Sequence, residues 1–165
     1  MKLDKLKEPY VIILIGPPLS GKTTWIRQNF GSGSFELISR DEIVLDLHGN
    51  GDYNTAFKTV DQTEVDRILV NKILASAKEK KNVIIDMTNM TSKRRKYNLS
   101  FFDDEYYKLA VIFPILKDEE YVARDKKRTE EENKSIPMPV IKNMISSYQP
   151  VSKEEGFNSV ISAKF

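Results

Sequence analysis

The stretch Gly16-Pro17-Pro18-Leu19-Ser20-Gly21-Lys22-Thr23 decides the fold of this 165-residue chain. It matches the pattern G-x-x-x-x-G-K-[ST], the phosphate-binding loop of nucleotide-binding proteins. An apolar run at residues 10–15 precedes the loop, and a helical segment at residues 24–30 follows it. Because no polar residue alternates in the apolar run, it predicts a buried parallel strand. The alternative is that the motif matches by chance in an ordinary strand–turn–helix. Chance matches that also have a strand before the loop and a helix after it are much less frequent.

The residue types of the loop suit the binding of phosphate. A helix N-terminus offers unpaired N–H groups and a positive dipole end to an anion. Gly16 and Gly21 permit backbone shapes that a side chain would block. Lys22 can reach the β- and γ-phosphates, and the Thr23 hydroxyl can hold Mg²⁺.

Composition restricts the class of protein. With 40% apolar and 30% charged residues, the chain suits a soluble globular domain, and its length suits a single domain over residues 1–165. Residues 1–9 form a polar lead-in without the apolar core of a signal peptide, and no apolar run is long enough to span a bilayer. The chain has no cysteine and one histidine, which excludes disulfides and cysteine or histidine metal clusters. The net charge of +2 is too small to indicate a nucleic-acid partner.

Strands alternate with helices along the chain, which predicts an α/β domain with a mostly parallel sheet of five strands. After the first strand, strands are predicted at residues 35–38, 83–86, 107–113 and around 160–161. Helices are predicted from Ser39, a potential N-cap, to residue 47, before a loop at 49–52, and from residue 54 or 55 to about 80. Further helices follow Thr91, span 118–133 and begin near Pro137. The carboxyl ends of parallel strands share one edge of the sheet, so the loop, Asp41 and Asp86 are expected to meet there.

Two carboxylates follow predicted strands. Asp41 is a candidate general base for an acceptor hydroxyl. The alternative is a first-turn acid that stabilises the helix dipole by about 0.3–1 kcal/mol. Asp86 ends an apolar strand and is a candidate Mg²⁺ ligand, directly or through a water, with a turn aspartate as the alternative.

Basic and aromatic residues offer weaker signals. Arg124 and Arg128 lie four residues apart on a charged helix and could close as a lid over a nucleotide, although salt bridges on a solvent-exposed face explain most such runs. The run Lys93-Arg94-Arg95-Lys96 could grip the phosphates of a nucleic acid, and an ordinary solvated helix surface explains it equally well. Tyr53, Phe57 and Tyr97 could stack on bases, but partly buried packing residues are the simpler interpretation.

Together these segments resemble the 5′-kinase domain of bacteriophage and animal polynucleotide kinases. The resemblance spans residues 10–161. It is carried by the phosphate-binding loop with Thr24-Trp25, Ser39-Arg40-Asp41, Val83-Ile84-Ile85-Asp86-Met87-Thr88-Asn89, Ala123-Arg124-Asp125-Lys126-Lys127-Arg128 with Ser135-Ile136-Pro137, and Glu154-Glu155-Gly156-Phe157. The loop is common to many families, and the order of the other segments is much more specific.

The resemblance implies a P-loop kinase fold with a helical lid and an ATP- and Mg²⁺-dependent transfer to a hydroxyl of DNA or RNA. It implies Asp41, Lys22 and Arg128 as catalytic residues and Thr23 and Asp86 as the metal site. The implied ATP-binding residues are Gly16, Pro17, Pro18, Leu19, Ser20, Gly21, Lys22, Thr23, Thr24, Arg124 and Arg128. The implied acceptor-binding residues are Arg40, Asp41, Asp86, Thr88, Asn89, Arg94 and Arg95.

The sequence departs from that family at two places. Val44 stands where the phage enzyme has an arginine near the acceptor phosphate, three residues after the catalytic aspartate. Asp125 follows the first lid arginine where the family usually has asparagine. No D-x-D-G-T phosphatase motif is present, so 3′-phosphatase activity is not expected.

Three alternatives keep the nucleotide site and change the function. The first is a phage-type DNA-modifying kinase acting on hydroxymethyluracil in DNA, with which Val44 is compatible. The second is a nucleoside or small-metabolite kinase. The third is a nucleotide-binding switch that transfers no phosphoryl group to an alcohol. We expect a cytoplasmic protein, in the host cytoplasm if the source is a bacteriophage, with no membrane partner. The oligomeric state and the preference for ATP over GTP stay open.

Overall fold

The computed structural model describes residues 3–49 and 52–165. Residues 1 and 2 of the predicted lead-in, and residues 50 and 51 of the predicted loop, lie outside this part. Within it, the strands are β1 (Tyr10–Ile15), β2 (Glu36–Ser39), β3 (Val83–Asp86), β4 (Tyr107–Ile112) and β5 (Ser159–Ser162). The helices in the same part are α1 (Lys22–Phe30), α2 (Arg40–His48), α3 (Tyr53–Thr59), α4 (Gln62–Lys78), α5 (Ser92–Leu99), α6 (Asp118–Glu132) and α7 (Met138–Ser146). Short 3₁₀ turns lie at Leu3–Lys5 and Lys153–Glu155.

The five strands form one sheet in the order β2-β3-β1-β4-β5, and every neighbouring pair is parallel. This confirms the predicted α/β architecture. All six residues of the central strand β1 are buried, as its lack of polar residues requires. Ser39 at the end of β2 pairs in register with Asp86 at the end of β3. The first turn of α2, the end of β3 and the loop after β1 therefore meet at one edge of the sheet.

Helices cover both faces of the sheet. On one face, α2, α4 and α5 bury a cluster that includes Val44, Leu69 and Leu99 against β1 and β3. On the other face, α1 buries Trp25 and Ile26 against β1 and β4. Among the described helices, none is both long and apolar enough to cross a membrane.

Two predicted helix starts are confirmed by their caps. The Ser39 hydroxyl oxygen accepts a hydrogen bond from the Glu42 amide at 3.4 Å, and the Thr91 oxygen accepts one from the Arg94 amide at 3.2 Å. Both oxygens satisfy an amide that has no partner within its own helix.

The single long helix predicted from residue 54 or 55 to about 80 is wrong. The chain forms α3 and α4 instead, with a break after Thr59. Asp61 causes the new start, because its carboxylate accepts a hydrogen bond from the Thr63 amide at 2.9 Å and caps α4. The buried stripe of Val65, Leu69 and Ile73 was predicted correctly.

Candidate active site

The loop between β1 and α1 is shaped by its glycines. Gly21 precedes α1 with a φ of 97°, a left-handed conformation that favours glycine. A Cβ atom on Gly16 would lie 2.7 Å from Cβ of Phe113, so no larger residue fits there. The Gly16 amide donates to the carbonyl oxygen of Thr88 at 3.0 Å, which ties the loop to the segment after β3.

Lys22 closes the loop on itself. Its ammonium group donates to the carbonyl oxygens of Gly16 at 2.9 Å and Pro17 at 2.8 Å. Burial lowers the pKa of Lys22 to about 8, although the charges of Asp86 and Asp41 act in the opposite direction. Lys22 therefore lies within electrostatic reach of two carboxylates at the carboxyl edge of the sheet.

Asp41 lies in the first turn of α2 and holds two partners. The Tyr53 hydroxyl donates to Oδ1 at 2.9 Å, and the Lys134 ammonium donates to Oδ2 at 2.8 Å. Burial alone would raise the pKa of Asp41, but the charge and hydrogen bond of Lys134, the Tyr53 hydroxyl and the charge of Arg128 together lower it. Half of the Asp41 side-chain surface is accessible. The group is therefore an ionised carboxylate that an acceptor can reach.

Asp86 has the opposite balance. Burial raises its pKa, with Lys22 opposing the rise and Asp41 and Glu42 adding to it. A partly buried carboxylate whose pKa is raised is suited to a bound cation. Among the described residues, no group of three or more His, Cys, Asp or Glu side chains could hold a metal by itself. A Mg²⁺ ion at Asp86 and Thr23 would therefore need further oxygen ligands, such as the phosphates of a nucleotide.

Helix α6 brings two arginines over the loop. Arg124 donates from Nη1 to the carbonyl oxygen of Leu19 at 2.8 Å. Nε and Nη2 of Arg128 are buried and have no hydrogen-bond partner within the described part of the chain. The charge of Arg128 acts on the pKa values of both Lys22 and Asp41, so the guanidinium group lies near the same cleft. Buried unpaired guanidinium nitrogens and the unpaired hydroxyl of Ser20 in the loop fit an anionic ligand such as a polyphosphate.

Residues 11–151 match the protein family described as an AAA domain. This chain belongs to that family. Its match covers most of the sequence, from β1 to the segment after α7, and includes the whole cleft described above.

Solved structures share the fold of this AAA domain. One is a chain of the Pnkp1/Rnl/Hen1 RNA repair complex, with a TM-score of 0.68, 24% identity, and coverage of 89% of this chain and 46% of that one. Another comes from the PezAT toxin–antitoxin system of Streptococcus pneumoniae, with a TM-score of 0.65, 17% identity, and coverage of 94% and 67%. A third is a gluconokinase from Sinorhizobium meliloti, with a TM-score of 0.53, 11% identity, and coverage of 97% and 86%. The chain spans less than half of the repair-complex chain that it matches. At these identities the likeness establishes a P-loop kinase fold.

Two residues predicted to bind the acceptor are structural in this AAA domain. Arg95 is fully buried, and its guanidinium group pairs with Glu155 and donates to the carbonyl oxygens of Asn89 and Met90. Asn89 is also buried, donates to the Leu14 carbonyl oxygen at 2.8 Å, and accepts from a neighbouring asparagine. Neither side chain has a free polar group to offer an acceptor, so both predictions are wrong.

The structure places the other predicted acceptor residues differently from one another. The guanidinium group of Arg40 is directed to α4, where it pairs with Asp66 and donates to Gln62 at 2.7 Å. Arg94 is exposed and lies 5.7 Å from the centre of the Tyr97 ring, on a surface open to a ligand. Thr88 contributes its carbonyl oxygen to the loop, as described above, and its side chain is partly buried. The structure therefore brings Asp41, Asp86 and Lys22 together but directs Arg40 elsewhere.

Sequence reasoning missed Lys134, which touches Asp41 across 93 residues of chain. Its position depends on Asp125, whose carboxylate accepts from the Ser135 hydroxyl at 2.8 Å and from the Ile136 amide at 2.9 Å. Asn133 ends α6 in a left-handed conformation and reverses the chain. The aspartate at position 125, noted as a departure from the polynucleotide kinase pattern, was the one available signal that this segment is held in place.

Proposed function

We propose that this chain is an ATP-dependent kinase that transfers a phosphoryl group to a hydroxyl of a nucleic acid, most simply the 5′-hydroxyl of DNA or RNA. One observation carries the proposal. An accessible, ionised carboxylate, Asp41, faces the same cleft as the loop lysine Lys22 and the unpaired guanidinium of Arg128. This is the set of groups that phosphoryl transfer to an alcohol requires.

Each residue of the loop and lid has a role in this proposal. The backbone of the loop from Gly16 to Thr24 cradles the phosphates of ATP, and Lys22 leaves its carbonyl partners to contact them. Arg124 and Arg128 cover the nucleotide, and Arg128 offsets the charge that develops on the transferred group, an effect of up to ~10³–10⁵ in rate. A Mg²⁺ ion held by Thr23 and Asp86 would supply further charge neutralisation on the phosphates.

Asp41 acts on the acceptor. Its carboxylate accepts the proton of the hydroxyl whose oxygen forms the new bond to phosphorus, while the bond between that phosphorus and the bridging oxygen of the nucleoside diphosphate breaks. A nucleotide switch would have to position water rather than an alcohol, and Asp41 held against Tyr53 is not needed for that. This favours an enzyme over a switch.

A nucleic acid as acceptor is supported by two observations. Lys93, Arg94 and Lys96 are exposed on α5 beside Tyr97, which is 46% exposed. Cations next to an accessible ring suit a phosphate backbone with unstacked bases. The similar fold in an RNA repair complex is consistent with this choice.

A kinase for hydroxymethyluracil in DNA is the second candidate, and Val44 favours it. Val44 is buried in the core at 1% exposure, so this position offers no charged contact to a strand end. A small-metabolite kinase is the third, in keeping with the gluconokinase of the same fold.

The test is a transfer assay with γ-³²P-ATP and Mg²⁺. The acceptors are 5′-hydroxyl oligonucleotides of DNA and RNA, duplex DNA containing hydroxymethyluracil, nucleosides and gluconate. Label on oligonucleotide 5′ ends is the expected result. Label only on internal modified bases, or only on gluconate or nucleosides, would replace the proposal with the corresponding alternative.

A further inference from the structure

The contact between Lys134 and Asp41 occupies one oxygen of the base that the proposed reaction needs. The ammonium group sits 2.8 Å from Oδ2, and the Tyr53 hydroxyl holds Oδ1. A hydroxyl that reaches the accessible part of Asp41 therefore meets a carboxylate whose two oxygens already have partners. An acceptor that binds well therefore has to fit beside the Lys134 ammonium group or offer it a new partner.

Lys134 is built into the cleft rather than lying on the surface. Only 14% of its side chain is accessible, and its ammonium group lies 4.0 Å from the centre of the Tyr53 ring. A lysine this deeply placed requires anionic or aromatic partners, and it has one of each. The backbone that carries it is fixed by the hydrogen bonds of Asp125 to Ser135 and Ile136.

Two other described cations near Asp41 have partners elsewhere. Lys22 is bonded to the carbonyl oxygens of its own loop, and Arg40 is bonded to α4. Arg128 also acts on Asp41 through its charge, but its Nε and Nη2 atoms have no hydrogen-bond partner in the described part of the chain. Val44, three residues after Asp41 in α2, is buried and apolar, so it offers no charge to an acceptor. Among the described cations, Lys134 is thus the one whose side chain is hydrogen-bonded to the Asp41 carboxylate.

We propose that Lys134 binds the phosphate nearest to the reacting hydroxyl of the acceptor, and that Asp41 is its partner until that phosphate arrives. This inference rests on the proposed kinase function and adds a requirement to it. An acceptor phosphate replaces one anion with another around the ammonium group, so the cation stays paired while one oxygen of Asp41 becomes available to the hydroxyl. A neutral acceptor leaves Lys134 on Asp41.

Two matched dinucleotides with a free 5′-hydroxyl test this inference. One has an ordinary phosphodiester linkage and the other an uncharged methylphosphonate linkage, so they differ by a single charge. For the wild-type protein we expect kcat/KM for the phosphodiester to exceed that for the methylphosphonate by about tenfold or more, as for a charge-assisted hydrogen bond.

The variants assign the preference to one side chain. Lys134→Met should reduce the ratio of the two kcat/KM values to near one, while Lys134→Arg should retain most of it. Lys126→Met, a change at an exposed lysine of helix α6, which precedes Lys134 in the chain, should retain the wild-type ratio. A variant that folds less well, or whose Asp41 is a weaker base, loses kcat/KM equally for both dinucleotides. Such a loss therefore cancels in the ratio of the two kcat/KM values.

The inference is overturned if Lys134→Met keeps the wild-type ratio, or if the wild type shows no preference. If the wild type transfers to neither dinucleotide, equilibrium binding of the same two dinucleotides, followed by NMR titration, decides on Lys134, and the oligonucleotide assay described above decides on the 5′-kinase function. Preferential binding of the phosphodiester that Lys134→Met abolishes would support the phosphate site, and equal binding would reject it.

Discussion

Asp41 illustrates how one carboxylate is adjusted by its neighbours. Burial would raise its pKa, and Lys134, Tyr53 and Arg128 outweigh that effect and lower it below the ordinary value of 3.8. The proposed base thus stays ionised to lower pH than an ordinary aspartate does. In the free enzyme, the acid limb of kcat/KM reports the ionisation of such a group.

Removing Lys134 should move that acid limb. Lys134 makes the largest contribution that lowers the pKa of Asp41, whereas burial raises it. Without this lysine the pKa of Asp41 should rise, so Asp41 should become protonated, and inactive as a base, at a higher pH. We expect kcat/KM for the phosphodiester dinucleotide, measured from pH 4 to 8, to begin its fall on the acid side at higher pH in Lys134→Met than in the wild type. Superimposable acid limbs would show that Lys134 does not act on the base.

At the scale of elements, the end of α6 shows how the lid is joined to the acceptor side of the cleft. Asn133 reverses the chain, and Asp125 reaches across the turn to hold Ser135 and Ile136. One helix therefore carries Arg124 toward the loop and presents Lys134 to Asp41 from its far end.

Asp125→Ala should release this turn without removing any charge that contacts the acceptor. We expect a drop in kcat/KM for the phosphodiester dinucleotide that is at most as large as that of Lys134→Met. Because both changes act through the same ammonium group, the double variant should be no worse than Lys134→Met alone. Additive losses in the double variant would mean that Asp125 supports some other feature of the lid.

Strands and helix starts were predictable where a short stretch of sequence carries the signal. Continuous apolar runs placed β1, β3 and β4, and Ser39 and Thr91 marked two helix starts. The break between α3 and α4 was not predictable in the same way, because neither glycine nor proline marks it. Lys134 was unpredictable because its partner lies 93 residues away and only the folded lid brings them together.

At the scale of the whole molecule, Arg95 ties the segment after β3 to the segment after α7. Its guanidinium group donates to the carbonyl oxygens of Met90 and Gln149 and pairs with Glu155, and both charged side chains are fully buried. The sequence run that contains Arg95 was interpreted as an exposed basic surface. Consecutive helical residues are turned by about 100° from one another, so one of four must face inward, and the run alone does not say which.

Arg95→Met should destabilise the protein strongly, because it leaves the Glu155 carboxylate buried without a partner. We expect the free energy of unfolding in urea to fall by about 3–5 kcal/mol. Lys93→Met, on the exposed face of the same helix, should change it by less than about 0.5 kcal/mol. A double variant, Arg95→Met with Glu155→Leu, should be more stable than Arg95→Met alone. Equal losses in the Lys93 and Arg95 variants would contradict the role of the buried pair.

The kinase proposal depends most directly on Asp41 as the acceptor base. Its test is the single-turnover rate of transfer from γ-³²P-ATP to a 5′-hydroxyl oligonucleotide, with ATP affinity measured separately by equilibrium binding. Asp41→Asn should lower this rate by about 10²–10⁴-fold while leaving ATP affinity within a few-fold of the wild type. Asp46→Asn, an exposed residue of the same helix, should leave both unchanged. An Asp41→Asn rate equal to that of the wild type would contradict the assignment of Asp41 and, with it, the proposed chemistry of the cleft.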